Sequence, residues 1–258
     1  MSDLAIPIIL VHGLFGHLRD ERILAAFGDT RVHTPDLIGY GIHQDANVEE
    51  LSLDDQAAHI AAYVDGLGCG KVHLVGHSVG GAVCAVVCEL YPELVASLTS
   101  VEGNFTLKDA FWSARVAEMS DAEVEGIIEV YRADPDSWMQ AAGVAATRWT
   151  SELAKDWLAN QPAKTIKAQA KAVINATGDS RYLDGIRRSI EVGLPFNLIA
   201  GARSSGGWDV PDWVTQRCAI RFNIPNAGHL MMVENSMLFA NSVLTCCRFQ
   251  ETIAAARS

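Results

Sequence analysis

Positive charge is scarce in this chain: 20 Lys and Arg stand against 31 Asp and Glu in 258 residues, a formal net charge of −11. Nucleic acids and anionic membrane surfaces are held by clustered Lys and Arg, so neither is an expected partner, and the charge is read as serving solubility. Long hydrophobic runs are missing too, none reaching the roughly 20 residues of a transmembrane helix. The six cysteines show no metal spacing such as Cys-x-x-Cys. Cys84 and Cys88 stand at i, i+4 in one apolar segment, Cys246 and Cys247 adjoin in another, and Cys69 and Cys218 are isolated. Reduced thiols in a cytosol are expected. His33, His43, His59 and His73 are scattered, and read as surface or structural residues rather than ligands, so no metal is expected. Met1-Ser2-Asp3 carries no positive segment ahead of the first apolar run; no signal peptide is read, and a cytoplasmic location is the expectation.

What the chain does have is the material of a packed core. Hydrophobic residues make up 49% and charged residues 20%, which excludes a disordered chain. The length supports one large core, with room for a small insertion. Strand-like runs fall near 6–12, 31–36, 71–76, 97–102, 195–201 and 219–224, and helix-like runs near 18–27, 53–67, 79–90 and 233–249. Such alternation predicts an α/β fold, a parallel sheet with helices on both faces.

Gly76-His77-Ser78-Val79-Gly80 lies where one strand gives way to a helix. A sharp strand-to-helix turn strains its central residue, requires small neighbours and projects the central hydroxyl beside the positive end of the helix. Ser78 is therefore the candidate nucleophile. Upstream, the first apolar run ends in His12-Gly13-Leu14-Phe15-Gly16, a turn flexible enough to aim a backbone N–H at a developing oxyanion. Downstream, the last strand delivers Pro225-Asn226-Ala227-Gly228-His229.

Through HGLFG at 12–16, PDLIGYG at 35–41, GHSVG at 76–80 and NAGH at 226–229, the chain resembles the α/β-hydrolase family over nearly its whole length. The resemblance implies that Ser78 attacks a substrate carbonyl, that His229 acts as general base and then acid, and that the N–H groups of Leu14 and Val79 form the oxyanion hole. It also implies the family's fold. The short leader omits the hairpin that often opens that fold, so about six mainly parallel strands are expected rather than eight.

The acid departs from the family's common pattern. The turn after the run 195–200 usually supplies an Asp, yet here it reads Gly201-Ala202-Arg203-Ser204. Asp209 lies further on, and would need its loop to fold back. Glu102 ends the strand that follows the nucleophile helix, a place from which some family members draw their acid. A carboxylate there reaches the same imidazole from the neighbouring strand end, and would fix the His229 tautomer. Glu102 is favoured, with Asp209 as the alternative.

Between 104 and 191 the alternation stops. Helix-like segments near 109–119, 121–133, 137–145, 151–160 and 163–176 follow one another without a convincing strand. A structureless link of that length would be unusual, so 104–191 is read as an all-helical cap inserted into a core of 1–103 and 192–258. The cap region is rich in aromatics; Phe15, Phe105 and Trp112 are expected at the substrate, from their nearness in sequence to the site segments.

A serine at the elbow, where an aspartate would form an alkyl-enzyme ester, points to acyl transfer. The expected function is hydrolysis of a small, fairly apolar carboxylic ester or lactone, with no cofactor. Two alternatives stay open: carbon–carbon hydrolysis of a diketone-like substrate, and a ligand receptor built on the hydrolase scaffold.

Overall fold

The computed structural model describes residues 4–257; Met1–Asp3, on which the leader reading rests, and Ser258 lie outside them. Strands β1 (Ile8–Val11), β2 (Val32–His33), β3 (Val72–His77), β4 (Val95–Val101), β5 (Phe196–Gly201) and β6 (Ile220–Ile224) form one sheet in the order β2-β1-β3-β4-β5-β6. Every pairing is parallel, so all carboxyl ends emerge at one edge. The strand order reverses between β1 and β3, and the loops that leave these two strands open the crevice in which ligands of such sheets bind.

The helices are α1 (Glu21–Ala25), α2 (Leu53–Gly66), α3 (Val79–Leu90), α4 (Phe111–Glu118), α5 (Asp121–Ala133), α6 (Pro135–Ala141), α7 (Arg148–Ala159), α8 (Ala163–Thr177), α9 (Ser180–Glu191), α10 (Asp212–Arg217), α11 (Met231–Glu234) and α12 (Ser236–Arg257). Serines begin two of them through capping boxes: Ser52 Oγ accepts the Asp55 N–H at 3.1 Å in α2, and Ser120 accepts that of Glu123 at 3.3 Å in α5.

Strands covered on both faces read as continuous apolar runs, and β1, β3 and β5 are buried at every residue. Their pleat sorts side chains between two cores. Ile9, Val11, Leu74, Leu98 and Leu198 pack with α2 and α3, whereas Ile8, Leu10, Val75 and Ile199 pack with α1 and α12. All six cysteines are free thiols.

The expected strands and long helices stand close to their anticipated places. At the edge, however, the strand read over 31–36 shrinks to two residues, and the helix read over 18–27 shrinks to five. From 111 to 177 the chain adds only helices, α4 packing on α8 and α6 on α7. Helices α9 and α10 were not anticipated. In α9 the buried positions Tyr182, Gly185, Ile186 and Ser189 include two small residues, and Leu183 and Ile190 pack beside them to complete an apolar stripe at helical spacing. The helix packs on α3, where Arg188 pairs with Glu89.

Candidate active site

Ser78 occupies the turn between β3 and α3 with φ 53° and ψ −124°, a conformation costly to a residue with a side chain. The surroundings enforce it. Its N–H donates to the Val101 carbonyl at 3.0 Å, and its own carbonyl accepts the Gly81 N–H at 2.9 Å. A Cβ on Gly76 would run into the Gly80 carbonyl, and one on Gly80 into the carbonyls of Val11 and His12. Only glycines let strand, helix and neighbouring loop approach so closely.

Register then places the carboxylate. His77 pairs with Val101 across β3 and β4, so Ser78 and Glu102 each stand one residue beyond a paired ladder. Glu102 has φ 42° and Asn226 has φ 58°; with Ser78 they are the non-glycine residues of positive φ among the described residues, and all three belong to this site. Glu102 Oε2 accepts the Nδ1–H of His229 at 2.7 Å. Its Oε1 accepts the Gly201 N–H at 2.9 Å and the Ser204 hydroxyl at 2.6 Å. The side chain of Glu102 is 4% exposed and that of His229 is 44% exposed. The carboxylate from β4 thus crosses the end of β5 and is held by the acid-less turn 201–204. Asp209 instead accepts the Thr106 hydroxyl at 2.7 Å, with Lys108 at 3.9 Å; the structure does not bring it to His229.

Groups that carried no signal in the sequence hold the imidazole. His77 Nε2–H donates to the His229 carbonyl at 3.0 Å. Burial first, and then the neighbouring His229, push the His77 pKa well below its ordinary value, so it serves as a neutral donor. Arg203 donates to the Asn226 carbonyl and pairs with Glu234. The other Glu234 oxygen accepts the Gly228 N–H at 2.7 Å, which pins the turn ahead of His229.

The turn at 12–16 is fixed from behind. His12 Nε2 accepts the Leu37 N–H at 3.2 Å, so Nδ1 carries the proton and donates to the Gly13 carbonyl at 2.8 Å. Burial lowers this histidine to about 4, keeping it neutral. The Tyr40 hydroxyl donates to the Leu14 carbonyl at 2.9 Å.

Ser78, Glu102 and His229 line one cavity of about 700 Å³, together with Leu14 of the turn and a set of aromatic rings. Phe15 stacks edge-on against Trp112 and Trp138, with ring centroids 5.2 and 5.5 Å apart, and both Phe15 and Trp112 line this cavity. Phe105 does not. It is 2% exposed and packs on Phe196 and Trp208, because the Asp109 carboxylate folds the segment back by accepting the Phe105 and Thr106 N–H groups at 3.0 and 3.3 Å. Burial raises the Asp109 pKa to about 6. Among the described residues no group of three or more His, Cys, Asp or Glu is placed to hold a metal ion, and no helix is long and apolar enough to cross a membrane.

A six-stranded parallel sheet with a serine elbow at its reversal point and a histidine-bearing turn after the last strand defines the architecture of an α/β hydrolase. Residues 6–183 match the family model described as alpha/beta hydrolase fold, and the chain belongs to that family. It is similar to a carboxylesterase of the thaumarchaeon Nitrososphaera gargenis, at 15% identity over 97% of this chain and 93% of that one, with a TM-score of 0.72. MenH of S. aureus matches at 17% identity over 97% and 96%, with a TM-score of 0.73. A haloalkane dehalogenase loop variant from Bradyrhizobium elkanii matches at 18% identity over 100% and 93%, also with a TM-score of 0.73. At these identities the likeness is one of fold. In sequence, a 99-residue stretch is 39% identical to the dihydrolipoyllysine-residue acetyltransferase component of the acetoin cleaving system of Pseudomonas putida. That stretch is 37% of this chain and 26% of the other, so the chain spans about a quarter of the curated relative it matches.

Proposed function

We propose that this protein is a serine hydrolase that cleaves a small, fairly apolar carboxylic ester or lactone through an acyl-enzyme on Ser78. The observation that carries the reading is the 2.7 Å contact between Glu102 and His229 Nδ1, made at the wall of the cavity that Ser78 also lines. With Nδ1 protonated toward the carboxylate, Nε2 keeps the lone pair a general base needs.

In this mechanism His229 Nε2 takes the Ser78 proton as Oγ adds to the substrate carbonyl carbon. The oxyanion accepts from the N–H groups of Leu14 and Val79, neither of which donates to a protein acceptor among the described residues. Each such donor contributes on the order of 3 kcal/mol to the transition state. Collapse of the tetrahedral adduct breaks the C–O bond, and the proton on Nε2 goes to the departing alcohol. Water then adds to the acyl-enzyme, giving its proton to the same imidazole, and the acid leaves as Ser78 regains its hydrogen. Phe15, Trp112, Tyr131 and Trp138 form the apolar wall against which the acyl or alcohol group packs.

The test is a chain-length series of p-nitrophenyl esters, run on wild type and Ser78→Ala, with mass spectrometry of the acylated protein. Turnover and acylation are expected in the wild type and absent from the variant. A folded wild type that does neither would overturn the ester reading.

A further inference from the structure

The turn proposed to stabilise the oxyanion is built onto the helical insert. Gly16 closes the turn with φ +74°, and a Cβ there would run into the ring of Trp157 on α7. Both halves of the Gly16 peptide are engaged from the residues just after α7. The Gly16 N–H donates to Gln161 Oε1 at 3.0 Å, and its carbonyl accepts from Asn160 Nδ2 at 2.9 Å. Both amides are buried, Gln161 to 1% exposure.

These amides are themselves held in place. Gln161 Nε2 donates to the Trp157 carbonyl at 2.9 Å, and Asn160 Oδ1 accepts from Arg19 at 2.6 Å. The next residue of the loop, His17, donates Nε2–H to Asp156 of α7 at 2.6 Å. From outside, Arg132 of α5 donates to the carbonyls of Leu158 and Gln161 at 3.3 and 3.1 Å.

Resting on the serine-hydrolase reading, we propose that Gln161 and Asn160 are positioning residues for the oxyanion hole, acting through Gly16 on the Leu14 N–H two residues away. The amide pair then makes seating of α7 a condition of catalysis: helix and oxyanion donor shift together. A donor displaced by a fraction of an ångström still leaves the cavity open to ligand, so the effect falls on the chemical step rather than on binding.

The experiment measures phosphonylation of Ser78 by an alkyl fluorophosphonate, whose phosphoryl oxygen occupies the oxyanion position, separating the maximal rate from the half-saturating concentration. In Gln161→Met, which removes the acceptor of the Gly16 N–H, and Asn160→Asp, which keeps an acceptor for Arg19 but cannot donate to Gly16, the maximal rate is expected to fall roughly 10- to 100-fold. The half-saturating concentration stays within about threefold. An unchanged maximal rate in either folded variant, or a loss carried entirely by half-saturation, overturns the proposal. Should both variants fail to fold, Arg132→Ala slackens the same segment from the surface; a several-fold loss of maximal rate supports the proposal and an unchanged rate overturns it. A wild type that is not labelled at Ser78 sinks the serine-hydrolase reading and this inference with it, whereas a labelled wild type with unaffected variants sinks the inference alone.

Discussion

At the scale of the residue, Glu102 combines a strained backbone, burial and three hydrogen bonds, one of them to His229. Glutamine at this position keeps the shape but offers the imidazole a neutral partner and can present an N–H to Nδ1. Glu102→Gln is expected to lower kcat by about 10²- to 10⁴-fold with the circular dichroism unchanged. Asp209→Asn loses only contacts to Thr106 and Lys108 and should turn over near the wild-type rate; the opposite pair of results would hand the acid role to Asp209. Asp109 makes a separate, pH-dependent prediction. Burial raises its pKa from 3.8 to about 6, with Asp209 adding to the rise and the Phe105, Thr106 and Asn104 hydrogen bonds opposing it. Between those values the folded state holds a proton that the unfolded state has lost. Its contribution therefore declines as pH rises through the window, by about 3 kcal/mol at most, and is level above it. Urea midpoints measured across the window should show that decline in the wild type and its loss in Asp109→Asn.

At the scale of the element, Gly126 stands exposed inside α5, and nothing lies within 4 Å of a Cβ added there. Gly126→Ala should stabilise the protein by about 0.5–1 kcal/mol, read as a higher urea midpoint, with kcat unchanged. The elements most legible in the sequence are those whose own composition decides them. Apolar runs such as 71–76 and 195–201 read as strands, and the β3 and β5 they form are buried at every residue, while Ser52 and Ser120 cap helices read from periodicity and capping residues. Ser78, Glu102 and His229 could be put forward as candidates for a related reason, since each sits at or just beyond the end of a recognisable strand. Less legible were contacts that no local pattern encodes. Phe105 adjoins the site in sequence, yet a loop closed by Asp109 turns it into the core. Asn160 and Gln161 touch Gly16 across more than 140 positions, a pairing that only the folded chain creates.

At the scale of the whole molecule, the net charge of −11 surrounds a cavity whose walls are largely apolar. A field of one sign repels anionic substrates and is screened by salt, over about 10 Å at 0.1 M ionic strength. The kcat/KM of an ester bearing a carboxylate should therefore rise with ionic strength, while that of its neutral isostere stays level; parallel salt profiles would show that the field does not reach the cavity mouth. The sheet adds a constraint of another kind. Ser78 and Glu102 ride on adjacent strands joined by a parallel ladder, so their separation is as stiff as the sheet itself. His229 arrives on a turn of its own, braced by His77, Arg203 and Glu234. Of these three side chains two are set in a fixed bed and one on an adjusting screw: heat or mutation that leaves the ladder intact changes their spacing by letting the imidazole wander.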